Sequence, residues 1–442
     1  MKSIFCFLNF LLLVHGGLMP AADATQHDVP ASSDVLSISL DTVTHAVMEN
    51  QPALKEARAK WEAARQRVPQ AAAWEDPKLS AGSRVARFVR VAPNSFGDQM
   101  LSLEQMLPIS GKNASRARIA AAEALMAAEE VRRKELDLIS KARASYYGLT
   151  VQYALLDLNK ADEESLRQML DITRAKLEVG GQSQADVLTA ENELTKVHES
   201  RQDLLRAISE EETRLSVLIN RDPFKPLGTP ADQIPAVANF SVDHLKSLLL
   251  ASRPEVRASE DALVLAKEKI ALAKKAWIPD PTLSVQGQRY NEAAQAVSEV
   301  AVGISISIPW FNRGKYRAEE QEAARGAEAA LHAAEAVRLE ALGMLRDQLR
   351  KIETERHHIE FYREKLLPTA QQTVESMRAA YETDKKGFLD LVSAQRSLRD
   401  HQKMLQKHLG EYGAAVAELD AIVGADCNPH PVPKTKSKPA RK

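Results

Sequence analysis

Apolar and polar residues alternate with a period of two from Val300 to Ile308. Val300, Val302, Ile304, Ile306 and Ile308 fall on one side of an extended chain; Ala301, Gly303, Ser305 and Ser307 fall on the other. One face is branched and apolar, the other small and polar. A tilted membrane strand needs about 9 to 11 residues of this kind, with lipid on one side and water on the other. Pro309 cannot donate to a β-ladder, so the alternation predicts a strand that stops there. Trp310 and Phe311 follow, where an interfacial aromatic girdle would lie.

Three weaker alternations accompany this one. Leu79, Ala81, Ser83, Val85, Arg87 and Val89 alternate with Ser80, Gly82, Arg84 and Ala86, and Ala92-Pro93-Asn94-Ser95 makes a turn. Leu101, Leu103 and Leu107 oppose Ser102 and Glu104; Thr282, Ser284, Gln286 and Gln288 oppose Leu283, Val285 and Gly287. The expected strands cover 78–90, 98–107, 281–290 and 298–308. Glu104, Ser305 and Ser307 lie on polar faces and are candidates to line a lumen; for Glu104, a wet position at the rim is the other reading.

Between the strands the pattern is helical. Asp41 is a candidate N-cap for a helix to Ala73, with Pro52 near a turn boundary. A proline-free stretch from Ala114 to Glu178 predicts one helix of roughly 100 Å at 1.5 Å per residue. Val179-Gly180-Gly181 breaks it, and a helix from Gln184 to Asn220 returns. Mainly apolar residues recur three and four apart on both limbs (Leu166, Met169, Leu170, Thr173; Val187, Leu188, Leu194, Val197), the mark of an antiparallel hairpin with coiled-coil character. Further on, helices are expected over 240–251 and 254–277. A long one runs from Lys315 to Thr383 with a kink near Pro368, a tip follows at Asp384 to Gly387, and the last helix covers 388–423.

The chain repeats itself. Pro52 matches Pro254, Asp76 matches Asp280, Pro108 matches Pro309, Gly111 matches Gly314, Asp186 matches Asp390 and Ala190 matches Ala394, each pair about two hundred residues apart. The layout is then a lead at 25–40, a first repeat at 41–220, a Pro-rich linker at 221–239, a second repeat at 240–424, and a basic tail at 425–442 expected to be disordered. Lys2, the apolar run from Ile4 to Val14 and Ala22-Asp23-Ala24 read as a signal peptide over 1–24.

Composition narrows the function. A net charge of −1 over 442 residues gives no electrostatic case for nucleic acid. Cys6 and Cys427 stand at opposite ends and imply no disulfide framework. No nucleophile elbow, P-loop or zinc-protease motif is present, so neither an enzyme nor a cofactor is expected. His357-His358 among glutamates reads as a solvated face, and Cys427 with His430 as a weak metal pair; metal binding is left open.

Four amphiphilic strands cannot close a barrel, for which about eight is the minimum. Open edges are not tolerated in hydrocarbon, so sister copies must pool their strands. The product is a short barrel continued by a long helical conduit. With its duplicated halves, its two tips and the junctions Leu107-Pro108-Ile109-Ser110-Gly111-Lys112 and Ile308-Pro309-Trp310-Phe311-Asn312-Arg313-Gly314-Lys315, the chain resembles the TolC-type outer membrane efflux family over nearly all its mature length. The Pro-Trp-Phe-Asn-Arg-Gly run is similar to that of the heavy-metal, CzcC/CusC-like branch. The resemblance implies a mainly α fold with a membrane β-barrel: a homotrimer with twelve strands, four per chain, in outer membrane lipid, above a periplasmic coiled-coil tunnel. It implies a periplasmic membrane-fusion adaptor and an inner-membrane resistance-nodulation-division pump as partners, and passive export of heavy-metal cations, or of organic compounds, as the function. It further implies a periplasmic gate in which Asp186 partners Tyr381, Lys386 links the tip and Asp390 constricts it; a second carboxylate position of the family is Ser393 here. Capping of the returning helices is the alternative role for Asp186 and Asp390. A periplasmic coiled-coil adaptor and a structural coiled-coil surface protein are the rival readings, and neither needs strands in two copies.

Overall fold

The computed structural model describes residues 37–83, 99–181, 183–290, 297–383 and 387–426. The expected signal peptide, the Ala92–Ser95 turn, Lys386 and the Cys427/His430 tail lie outside the described residues.

The chain runs β1 (Ser37–Ile38), α1 (Leu40–Asn50), α2 (Pro52–Ala72), β2 (Lys78–Ser83), β3 (Gln99–Met106), α3 (Lys112–Glu178) and α4 (Gln184–Leu218). The second half follows with β4 (Thr229–Pro230), α5 (Val242–Ser252), α6 (Pro254–Lys275), β5 (Thr282–Tyr290), β6 (Val297–Ser305), α7 (Arg313–Phe361), α8 (Leu367–Glu382) and α9 (Phe388–Val423).

Several ends differ from the sequence expectation for physical reasons. Ser39, not Asp41, caps α1: its hydroxyl accepts from the Thr42 N–H. The first helix is two helices, because Gln51 precedes Pro52 and takes an extended conformation. The predicted kink at Pro368 is a π-helical turn at Tyr362–Leu366 just before it; Pro368 then sits in the first turn of α8, where no intrahelical N–H is needed. Strand β6 stops at Ser305, short of Ile308, because β5 begins at Thr282 and offers nothing beyond that pair. The Pro-rich segment between the halves is not all linker, since Thr229–Pro230 pairs in parallel with Ser37–Ile38.

The 67 residues of α3 form one helix, about 100 Å long by its rise. It starts at Gly111, whose φ of 71° suits glycine, and packs against α2, α4, α6 and α9. Because it meets partners on several sides, buried residues appear all round it, from Ser115 to Thr173. The last helix, α9, stops at Gly424, with φ of 81°; a Cβ there would lie 2.7 Å from the Ser252 carbonyl oxygen.

Three apolar clusters hold the helices. One gathers Val43, Leu54, Tyr146, Leu149 and Leu215 of the first half; a second gathers Leu249, Leu345, Ile359, Tyr412 and Leu419 of the second half. The third joins both hairpins near their tips, with Leu166, Met169, Val187, Tyr381, Phe388 and Val392. Apart from the β1–β4 ladder, the strands form one antiparallel sheet in the order β2-β3-β5-β6. Among the described residues, its two outer strands are each paired on one side only.

Candidate functional site

Two regions carry the residues singled out by sequence: the sheet and the hairpin tips. On the sheet, Glu104 stands opposite Lys78 on one side and Ser284 on the other, so these three share one face. Ser102, Gln286 and Ala301 follow on that face. Leu101, Leu103, Val285, Val300, Val302 and Ile304 make the opposite face and are all exposed in the single chain. Such an apolar surface is what lipid covers. Ser305 ends β6 opposite Thr282, and Ser307 lies past the strand.

Where the sheet meets the helices, a half-buried polar knot forms. Asp280 accepts hydrogen bonds from the Ser110 N–H at 2.9 Å, the Ser110 hydroxyl at 2.9 Å and the Lys112 ammonium at 3.0 Å. Burial pushes the Asp280 carboxyl up, but these three donors outweigh it and hold it below its usual range. Lys112 also donates to the Ile278 carbonyl at 2.7 Å. Thus the start of α3, in the first half, is fastened to the segment between α6 and β5, in the second.

At the first tip, Gly181 closes the end of α3 by donating to the Lys176 carbonyl at 2.8 Å. Ser183 and Asp186 then make a capping box: the Asp186 N–H donates to the Ser183 hydroxyl, and the Ser183 N–H to the Asp186 carboxylate. At the second tip Tyr381 is buried. Its hydroxyl lies 3.3 Å from that of Thr173, the Lys176 ammonium sits 4.3 Å from its ring centre, and Lys176 donates to its carbonyl at 2.8 Å. The Asp186–Tyr381 hydrogen bond expected from sequence is therefore not made within the chain. Ser183 takes the carboxylate, and Thr173 and Lys176 take the tyrosine. Asp390 is exposed in the first turn of α9, where a carboxylate favours the helix dipole.

Above the tips, charge pairs join the hairpins. Glu193 of α4, only 3% exposed, accepts a fork from Arg396 of α9 at 2.8 and 2.5 Å and a further bond from Lys196 at 2.8 Å. The Arg396 fork above all holds its carboxyl low. Asp162 and Arg399 face each other at 3.9 Å; there burial raises the Asp162 carboxyl against the arginine. Neither pair was found from sequence. The only signal for the Thr173 contact was a hydroxyl on an otherwise apolar stripe.

One cluster among the described residues could hold a cation: Glu355, His408 and Glu411, with ligand atoms within 4.8 Å of one another. The His408 Nδ1 already lies 2.8 Å from Glu355, and its ring stacks on His358 at 4.6 Å. His357 is exposed and outside that stack.

The sequence profile described as "Outer membrane efflux protein" matches residues 43–221 and 245–425. The toluene efflux pump outer membrane protein TtgF of Pseudomonas putida is 26% identical over 227 residues, covering 50% of this chain and 47% of that protein. The alkaline protease secretion protein AprF of Pseudomonas aeruginosa is 23% identical over 336 residues, covering 73% of this chain and 69% of that one. The chain thus spans about half the length of the efflux-pump relative named first. Among solved structures, the outer-membrane channel OprN is similar with a TM-score of 0.74 at 19% identity, covering 87% of this chain and 90% of that one. CusC is similar with a TM-score of 0.74 at 17% identity, covering 91% and 96%.

Proposed function

The chain belongs to the outer membrane efflux protein family, and from that membership we propose that three copies form the outer-membrane exit duct of a tripartite efflux pump. The observation that carries this reading is a four-stranded sheet, apolar on one face and open at both edges, set on helices about 100 Å long. Hydrocarbon demands that such edges be closed, and copies of the same sheet close them. The polar face then lines water, with Glu104 and Ser305 on it. The helices carry the conduit across the periplasm to an adaptor and a proton-driven inner-membrane pump. No chemistry is required of the duct, which conducts passively.

The hairpin tips form the gate. Asp390 of three copies makes an acidic ring that attracts cations, and Tyr381, Lys386 and Asp186 stiffen the tips around it. Heavy-metal cations are the cargo, on the strength of the Pro309–Gly314 junction. A second reading, export of organic compounds, is favoured by the toluene pump relative. Deleting the gene and growing the strain on Zn, Co, Cd, Cu and Ag, and separately on solvents and antibiotics, decides between them. Sensitivity to the metals alone supports the first reading, and sensitivity to organic compounds alone supports the second. Unchanged growth on every compound contradicts both.

A further inference from the structure

The two halves give the sheet an internal rule. In the first hairpin Lys78 faces Glu104 and Gly82 faces Met100; in the second Thr282 faces Ser305 and Gln286 faces Ala301. These are the same pairs once β2 is laid on β5 and β3 on β6. The overlay sets Leu79-Ser80 on Leu283-Ser284 and Pro108 on Pro309, so sequence and register agree. Asp76-Pro77 then falls on Asp280-Pro281, Leu107 on Ile308 and Lys112 on Lys315.

The contact between halves, β3 against β5, therefore has an unmade counterpart. It joins β6 to β2, which are the two open edges. Within one chain these edges lie at opposite ends of the sheet, so only a second copy can supply the contact. Among the described residues, Asp76 makes no hydrogen bond or ion pair, whereas its counterpart Asp280 makes three hydrogen bonds. Ile308 is likewise exposed, whereas the Leu107 N–H donates to the Pro281 carbonyl at 2.8 Å.

We infer that β6 of one copy pairs with β2 of the next in one register, Ser305 opposite Ser80, and that Lys315 at its end clasps the neighbour's Asp76. This rests on the reading of the chain as an assembled duct and fixes how its copies join. The Ile308 N–H donates to the neighbour's Pro77 carbonyl, extending β6 past the point where it stops in a single chain. The Lys315 ammonium takes the place that Lys112 holds, between a carboxylate and the carbonyl of Trp74, the counterpart of Ile278. The second junction is two residues longer between its proline and glycine. The position before the glycine is Arg313 where the first has Ser110, a further cation for Asp76. Side-chain alternation survives the transfer: Ile304 meets Ala81 on the apolar face, as Leu103 meets Val285.

The test is cross-linking in the full chain with Cys6 and Cys427 changed to Ala. The Leu107–Pro281 bond makes Glu104–Ser284 a non-hydrogen-bonded pair, and Ser305–Ser80 inherits that closer spacing, with Cα atoms about 4.5 Å apart and within disulfide reach. Oxidation of the Ser80→Cys, Ser305→Cys variant in membranes gives covalent oligomers about tenfold more than Gly82→Cys with Ser305→Cys, two residues out of register on the same face. Equal or reversed yields in a protein that still purifies as a trimer overturn the register and leave the duct reading standing. A protein that purifies only as a monomer overturns both. In parallel, Asp76→Ala lowers the fraction of trimer surviving brief SDS treatment, and the swap of Asp76→Lys with Lys315→Asp restores it. Trimer as resistant as wild type in Asp76→Ala, or unrestored by the swap, overturns the clasp.

Discussion

The Tyr381 hydroxyl lies 3.3 Å from the Thr173 hydroxyl, and both side chains are buried, so a side-chain polar contact inside an apolar cluster joins the second hairpin tip to the first, beside the Lys176 ammonium that donates to the Tyr381 carbonyl. Thr173 itself donates to the Met169 carbonyl at 2.7 Å, which leaves Tyr381 as the donor to Thr173.

Removing that hydroxyl and removing the ring are different experiments. Tyr381→Phe loses one hydrogen bond, about 1 kcal/mol. Tyr381→Ala also leaves a cavity and costs about 3–5 kcal/mol locally. If the tips form the constriction, Tyr381→Ala raises single-channel conductance, and Tyr381→Phe with Lys386→Ala raises it less. Conductance unchanged in both variants would place the constriction elsewhere.

The Glu193–Arg396 fork makes a pH prediction. The Glu193 carboxyl is held below its ordinary value in the folded chain, so its contribution to stability is complete above that ordinary value, near 4.5, and fades as pH falls through the lowered one. Arg396→Ala, which leaves Lys196 in place, costs about 1–3 kcal/mol at neutral pH. Its thermal midpoint falls less steeply than that of wild type below about pH 4.5. A variant whose midpoint tracks the wild type in parallel through that window refutes the assignment.

Asp280 fastens the two halves, and Ser110 beneath it is buried. Asp280→Ala strands the Ser110 N–H and is expected to cost about 2–3 kcal/mol. The effect is local: amide exchange speeds up at Ser110 and in the first turn of α3, while the hairpin tips stay protected. Equal loosening at both ends would contradict this.

How much of this was legible beforehand differs by element. The alternation of β6 was plain from Val300 to Ile304, because a face that meets lipid must be uniformly apolar. Within the single chain the strand ends at Ser305, short of the expected Ile308, because where a ladder stops depends on the partner strand, and β5 begins at Thr282. The 67-residue helix was legible from an absence of proline and an excess of alanine and charged helix formers. The β1–β4 ladder was not, since two-residue strands have no period and Pro230 argues against one. At the tips, sequence located the polar residues but not their partners. Asp186 had a competitor for its carboxylate three residues away in Ser183, and Tyr381 had Thr173 on another helix.

Whether copies of this chain enclose a water-filled path is tested most directly by recording from purified, detergent-extracted protein in planar lipid bilayers, with its oligomeric state measured on the same sample. Trimers that insert and give discrete ion-conducting steps are the predicted result. A chain that stays monomeric and dissolved without detergent, and adds no conductance to the bilayer, would contradict it.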